Sequence, residues 1–338
     1  MSMTDSTNPW RGAHFAKGRF FNPGVPQHRF SEFLRWITRR EQGSWNGFSA
    51  SEPGPPPPAR VHGTELRVTF VNHSTFLLQT EGLNLLTDPV WSERVSPVTF
   101  AGPRRRRAPG LRLEDLPRVD AILMSHNHYD HFDKATLVRL LGRDRPVVFC
   151  PLGLAEPLRK LGFGEIRELD WWQKVAWSGL TVHCVPAQHF SARGLFDRNR
   201  TLWCGWMLDA DAGSVYFAGD TGLSSLFEEI AASFPRIRLS LLPIGAYKPQ
   251  WFMGSIHMAP SQALYVHRLL GSAHSIATHF GTFPLADDGE AEPVKGLERA
   301  LLQSPPVQPF WVLKEGEGRD IPEMVEAACA DVRMLSGE

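Results

Sequence analysis

The sequence predicts an α+β fold, an αβ/βα sandwich in which two mixed sheets pack face to face with helices outside them. Three observations predict it. From Leu66 the chain runs as short β-rich segments separated by polar turns. From Val119 apolar strands alternate with helical patterns, and histidines and aspartates gather where those strands end. A meander followed by alternating strand and helix fits two sheets covered by helices.

Residues 1–60 read as an extension and proline-rich linker packed on the domain, with 61–338 as one domain. Phe20, Phe21 and Pro23 are apolar without a period. A helix over 31–41 follows, with Ser31 as its N-cap and Phe33, Leu34, Trp36 and Ile37 as its apolar face. The run SEPGPPPPAR (51–60) can join neither a helix nor a central strand, so it is a stiff extended linker. LRVTFV (66–71), STFLLQT (74–80) and LNLLTD (83–88) form an antiparallel meander. VDAILMS (119–125) and PVVFC (146–150) are strands around a helix over about 134–141. LTVHCV, LWCGWML, SVYFAG, LSLLPI and SIATHF supply further strands, and 223–232, 260–270, about 294–302 and 322–330 supply helices. Pro260 suits a first helical turn and Gly271 a helix stop.

Composition narrows the function. Lysine plus arginine equals aspartate plus glutamate at 36 each, so no net field draws the protein onto nucleic acid, and none is expected as a partner. Cys150, Cys184, Cys204 and Cys329 form no C-x-x-C pair and read as reduced, buried thiols. The polar N-terminus lacks a secretory pattern, and no apolar run reaches the roughly 18–20 residues of a spanning helix. A cytoplasmic protein is expected, with peripheral contact as its route to a membrane.

The strongest signal is SHNHYDHFD (125–133), between an apolar strand and a helix. It puts His126, His128, Asp130 and His131 into six positions. Imidazole and carboxylate suit zinc, and also iron or manganese. The i, i+2 imidazoles aim at one point and the i+4 and i+5 groups at a second. A His-x-His-x-x-His spacing arises by chance in roughly one such chain in fifty, and the aspartate and preceding strand make it rarer. His189, Asp220 and His279 each end a predicted strand. A lone strand-end histidine is more often structural, but together with the cluster these three complete a ligand set. Asp220, in AGDTG, is placed to bridge two cations.

This pattern is that of the metallo-β-lactamase superfamily. More narrowly, the chain resembles the N-acylphosphatidylethanolamine phospholipase D family through GRFFNP (18–23), NHST (72–75), LTDPVWSERVSP (86–97), GPRRRR (102–107), LPRVDAILMSHNHYDHFD (116–133), ELDWWQ (168–173), FAGDTG (217–222), PIGAYKPQWFM (243–253) and HFGTFPLADD (279–288). The resemblance implies two zinc ions per chain, the first on His126, His128 and His189, the second on Asp130, His131 and His279, with Asp220 bridging. It implies a phospholipid substrate, split to N-acylethanolamine and phosphatidic acid by water activated between the metals, and a homodimer. His257 matches a family histidine that handles substrate. The leaving alcohol needs a proton, for which Asp130 and His257 are the candidates. Another hydrolase on the same scaffold, a lactonase or a nuclease-type phosphodiesterase, is the alternative.

Weaker signals complete the expectations. Tyr247, Trp251 and Phe252 are expected to line an acyl channel, and Arg104–Arg107 form a basic patch that reads either as a solvated loop or as a contact for anionic lipid headgroups. Asp88 is expected to orient a ligand histidine, His73 to be structural near the site, and Trp171 and Trp172 to be core. Two departures from the family stand close to the site, Asn72 for a glycine and Phe190 for a tryptophan.

Overall fold

The computed structural model describes residues 9–25, 30–50, 52–194 and 196–324. Cys329 and residues 325–330 of the predicted last helix lie outside them.

A short hairpin, β1 (Phe15–Ala16) and β2 (Arg19–Phe20), precedes α1 (Phe30–Thr38). The meander follows as β3 (Leu66–Asn72), β4 (Thr75–Thr80) and β5 (Leu83–Thr87), then β6 (Ala121–Leu123), α2 (Lys134–Asp144), β7 (Val147–Pro151), α3 (Ala155–Lys160) and β8 (Ile166–Leu169). The second half holds β9 (Lys174–Trp177), β10 (Leu180–Val185), β11 (Gly205–Asp209), β12 (Ser214–Phe217), α4 (Leu226–Ser233) and β13 (Ile237–Pro243). It ends with α5 (Gln250–Met253), α6 (Pro260–Leu269), β14 (Ser275–Thr278), α7 (Glu292–Gln303), β15 (Phe310–Trp311) and β16 (Gly318–Asp320). Two seven-stranded sheets result, ordered β16-β3-β4-β5-β6-β7-β8 and β15-β14-β13-β12-β11-β10-β9. Each is mixed: β3–β4–β5 and β9–β10–β11–β12 pair antiparallel, while β5–β6–β7–β8 and β12–β13–β14–β15 pair parallel.

Strand alternation makes the layers. Ala121, Leu123 and Phe149 face the second sheet and share a core with Val182, Trp206 and Phe217. Ile122, Met124 and Val148 face the other way and pack against Leu137 and Leu140 of α2 and Leu158 of α3. Asp133 caps α2, accepting from Ala135 N at 3.2 Å, and also accepts from Trp91 N and Ser92 N, which ties the helix start to the loop after β5.

The short edge strands β8, β9, β15 and β16 and the helices α3 and α5 carry no periodic signal, and the sequence did not reveal them. The predicted linker is extended and strapped to the first sheet: Gln79 Nε2 donates to Pro58 O at 2.7 Å and Asn84 Nδ2 to Ala59 O at 3.0 Å. Trp10 and Phe20 are buried in the main core, where Trp10 packs on Trp171.

Two expectations change. The first helix starts at Phe30, so Ser31 lies inside it and is not its cap. Of its apolar face only Trp36 is buried, while Phe33, Leu34 and Ile37 are each more than two-fifths exposed. In the Arg104–Arg107 run, three of the four side chains are engaged within the protein. Arg105 is buried and donates to the carbonyls of Ser92, Val90 and Arg107, and Arg107 pairs with Glu290 and Glu315. Arg104 is exposed but paired with Glu93. Arg105 thereby braces a loop that would otherwise bury unpaired carbonyls.

Candidate metal centre

The seven predicted ligands meet at one edge of the sandwich, and both sheets supply them. His126, His128, Asp130 and His131 lie in the loop between β6 and α2, while His189, Asp220 and His279 follow β10, β12 and β14. Gly219 lets the loop after β12 approach the loop after β6. Its φ is +61°, and a Cβ there would stand 2.8 Å from Ser125 Cβ. Three residues at the site, His73, Asp88 and His279, also hold left-handed backbone angles of 49°, 29° and 59°. Such strain costs about 1–3 kcal/mol each and collects where side chains must be aimed.

The donor atoms form two groups that share Asp220. In the first, His128 Nδ1 lies 2.8 Å from His126 Nε2 and 3.2 Å from His189 Nε2, and Asp220 Oδ2 lies 3.8 and 3.7 Å from those two Nε2 atoms. In the second, Asp130 Oδ2 stands 3.3 Å from His131 Nε2 and 3.4 Å from His279 Nε2. Asp220 Oδ2 stands 3.1 Å from both. Four ligands about 2.1 Å from a tetrahedral ion are about 3.4 Å apart, so the observed spacings match in size. Moreover, His131 Nε2 and His279 Nε2 make no hydrogen bond despite their closeness to Asp220, and Asp220 Oδ1 is buried without a partner. Atoms aimed at a common third point behave this way. The residues therefore fit a pair of cations.

Hydrogen bonds behind the cage fix the tautomers. Asp88 accepts from Ser125 N and Ser125 Oγ and, at 2.7 Å, from His131 Nδ1–H, which leaves His131 Nε2 as a lone pair. Because Ser125 Oγ donates to Asp88, it accepts from His126 Nδ1–H at 2.8 Å. His189 Nδ1–H donates to Ile256 O at 3.0 Å. All three imidazoles thus point Nε2 into the cage. His73 Nε2 lies 3.0 Å from Asp130 Oδ2, so the histidine expected to be structural stands beside a ligand carboxylate and joins the second group.

The charges agree. Burial drives His126 and His189 well below the usual imidazole pKa, and His128 to about 4. Burial raises the Asp220 carboxyl, but His131 and His279 outweigh it and hold the group well below the usual range. Burial also lowers His279, yet Asp220 and Asp130 raise it to about 9. Two carboxylates here demand positive charge, and divalent cations meet that demand while leaving the imidazoles neutral.

A cleft of about 480 Å³ opens onto the cage. His128, Asp130, Asp220, His257 and His279 form its polar end, and Phe33, Trp36, Phe252, Met253, Ile256 and Leu285 its apolar wall. Phe252 is where the sequence put it. Tyr247 instead lines a separate surface pocket with Lys248 and Glu292, and Trp251 lies outside the cleft, nearly half exposed beneath Arg35. Trp251 and Phe252 are consecutive in α5, so their side chains point about 100° apart around the helix, which composition cannot show. Of the two departures, Asn72 is buried and donates to Val90 O, while Phe190 packs against His128 and lines the cleft. Sequence reasoning missed Arg198, also in the cleft wall; its only signal was a charged DRN segment shortly after His189.

Comparison with known proteins agrees with this geometry. The family model described as the beta-lactamase superfamily domain matches residues 83–280. The chain belongs to the metallo-β-lactamase superfamily. It is a metal-dependent hydrolase of that superfamily. An uncharacterised protein of Mycobacterium tuberculosis is 43% identical over 269 residues, 76% of this chain and 71% of the relative. The N-acyl-phosphatidylethanolamine-hydrolyzing phospholipase D 1 of Caenorhabditis elegans is 39% identical over 231 residues, 65% of either chain, so the match spans just under two thirds of that relative. Among solved structures, isothiocyanate hydrolase from Delia radicum gut bacteria aligns with a TM-score of 0.61 at 23% identity, covering 75% of this chain and 98% of that one, which shows the metallo-β-lactamase fold. Among the described residues, no helix is long and apolar enough to cross a membrane.

Proposed function

We propose that this hydrolase cleaves N-acylphosphatidylethanolamine to N-acylethanolamine and phosphatidic acid, on two divalent cations per chain. Zinc suits the donor set, with iron or manganese as alternatives. The observation that carries the reading is one cleft joining an apolar wall to the His/Asp cage. An amphiphile with a phosphodiester between acyl chains and a small head fits such a junction, and the worm relative's name gives that substrate for that protein. His126, His128 and His189 would hold one ion and Asp130, His131 and His279 the other, with Asp220 between them.

Bound there, the cations would supply Lewis acidity to the phosphoryl oxygens and acidify a water towards a pKa of about 7. The rest falls to the protein. The apolar wall takes an acyl chain and orients the phosphorus over the cage. The water's oxygen stays on phosphorus, the P–O bond to the ethanolamine oxygen breaks, and that oxygen needs a proton. Of the two candidates, His257 is the better carrier. Asp130 is held ionised: burial raises its carboxyl, but His131, His279 and His73 outweigh burial and keep it well below the usual range. Burial keeps His257 neutral, with a pKa of about 3, and its Nδ1 has no hydrogen-bond partner. It can take a proton and return it.

The test is product analysis by mass spectrometry after incubating zinc-loaded protein with N-acylphosphatidylethanolamine micelles, beside Asp130→Asn. Both products from the parent and none from the variant are expected. Cleavage of a generic lactone with neither product formed would sink the substrate assignment, and one ion per chain by elemental analysis would sink the two-cation centre.

A further inference from the structure

Of the three arginines in the loop after His189, Arg193, Arg198 and Arg200, the fold uses the first two differently. Arg193 braces the ligand loop. Its Nη1 donates to Asn127 O at 2.7 Å and Phe132 O at 2.9 Å, and its guanidinium lies 3.8 Å from the Tyr129 ring centroid. Arg198 has no such task. Its guanidinium sits 4.2 Å over the Phe190 ring, which packs edge-on against His128 with centroids 4.5 Å apart. Among the described residues no carboxylate pairs with it and no acceptor takes a hydrogen bond from its guanidinium. Its side chain lines the same cleft as His128, Asp220 and His257.

The backbone around Arg198 is fixed. Asp197 accepts from Arg193 N at 3.1 Å and Gly194 N at 2.8 Å. Asn199, at φ 58°, donates from its N to Ser191 O at 2.7 Å and accepts from Phe20 N at 2.8 Å. A guanidinium seated on an aromatic ring loses less freedom when it binds. Burial lowers its pKa, but a guanidinium remains charged at neutral pH. The side chain is exposed to solvent at the cleft, and a cation there with five donors and no counter-charge suits an anion that presents two oxygens, a fork that phosphate matches.

We propose that Arg198 is a specificity residue that binds a non-bridging oxygen of the phosphodiester and then holds the phosphomonoester product, so that the cleft selects ligands by headgroup charge. This rests on the phosphodiesterase reading. A lactone or carboxylic ester is neutral and gives the guanidinium nothing to pair with, whereas phosphatidic acid leaves the cage as a dianion.

Equilibrium titration of metal-loaded protein with dihexanoylphosphatidic acid and with dihexanoylglycerol separates headgroup from chain. With metal content equal across variants, Arg198→Gln should weaken phosphatidic acid binding tenfold or more and dihexanoylglycerol binding less than twofold. Arg198→Lys should recover part of the loss, because it keeps the charge without the fork. In parallel, kcat/KM for bis-p-nitrophenyl phosphate should fall 10- to 100-fold in Arg198→Gln. Equal weakening of both lipids would make Arg198 mere cleft wall and overturn the proposal, as would unchanged binding of phosphatidic acid. Failure of the phosphodiesterase reading looks different: the parent would bind phosphatidic acid yet release no N-acylethanolamine, and the Arg198 effect on binding would still decide the charge site.

Discussion

At the residue scale the cage depends on one carboxylate that is not itself a predicted ligand. Asp88 Oδ2 receives the protons of Ser125 Oγ and His131 Nδ1, and through Ser125 it also sets His126. Asp88→Asn should therefore do more than remove a charge. An amide NH₂ turned towards His131 Nδ1–H opposes donor to donor and pushes the imidazole to its other tautomer, which puts a proton on the Nε2 aimed into the cage. Loss of such an orienting partner typically costs 10- to 100-fold in metal affinity. Competition with a zinc-binding dye should show that loss with the fold retained by circular dichroism, and unchanged affinity would contradict the tautomer argument. Asp88 was legible because T-D-P follows a strand before the histidine cluster. His73 was half legible: its nearness to the site was expected, but its contact with Asp130 depends on a left-handed turn between β3 and β4. Arg198 was not legible, because nothing local in the sequence distinguishes it from Arg193. Only the fold shows which of the two has its donors taken by carbonyls.

At the scale of elements, the strands that the sequence revealed are those with a strong period or apolar run, and they carry the ligands. The elements it missed are edge pieces of two to four residues and short helices, whose existence depends on neighbours already in place. α1 shows the limit of periodicity. Its apolar stripe implied burial, yet the body of the protein covers only Trp36, whose Nε1 donates to Asp287 Oδ2 at 3.1 Å and whose ring stacks on Phe252 at 5.2 Å. Arg40 caps the same ring at 4.7 Å. Trp36 is thus the buried anchor of the helix that carries part of the cleft's apolar wall. A buried Trp→Ala change costs about 3–5 kcal/mol in a core, enough to undock a nine-residue helix on the periphery. Trp36→Ala should raise KM for a long-chain phosphodiester tenfold or more and leave bis-p-nitrophenyl phosphate within about twofold, since the small substrate needs the cage and not the wall. Equal changes for both substrates would mean that α1 supports the cage itself.

At the scale of the whole molecule, the centre sits across the join of the two sheets. His126, His128, Asp130 and His131 belong to the first sheet's loop, and His189, Asp220 and His279 to the second's. Ions held by both sets would add cross-links between two layers that meet through their apolar core and through hydrogen bonds such as Trp206 Nε1 to Met124 O and His279 N to His73 O. Two groups of close, buried donors, with Asp130 and Asp220 both ionised, do not lose that positive charge without cost, because partnerless charge in a low dielectric is expensive. Metal that binds the folded chain alone adds about 4 kcal/mol per site when free metal is a thousandfold above Kd. A kcal/mol moves the midpoint of a domain of this size by about 2 °C or somewhat less, so each site stripped should lower Tm by roughly 5–8 °C, and a chelator that strips both by about twice that. Scanning calorimetry of zinc-loaded and chelator-stripped protein measures it, and re-addition of zinc should restore the loss. The same scan on Asp220→Asn adds the structural control. That variant removes the carboxylate shared by the two donor groups, so its Tm should respond far less to chelation. A full chelator response in Asp220→Asn would mean that the stabilising ions do not span the sheets through Asp220.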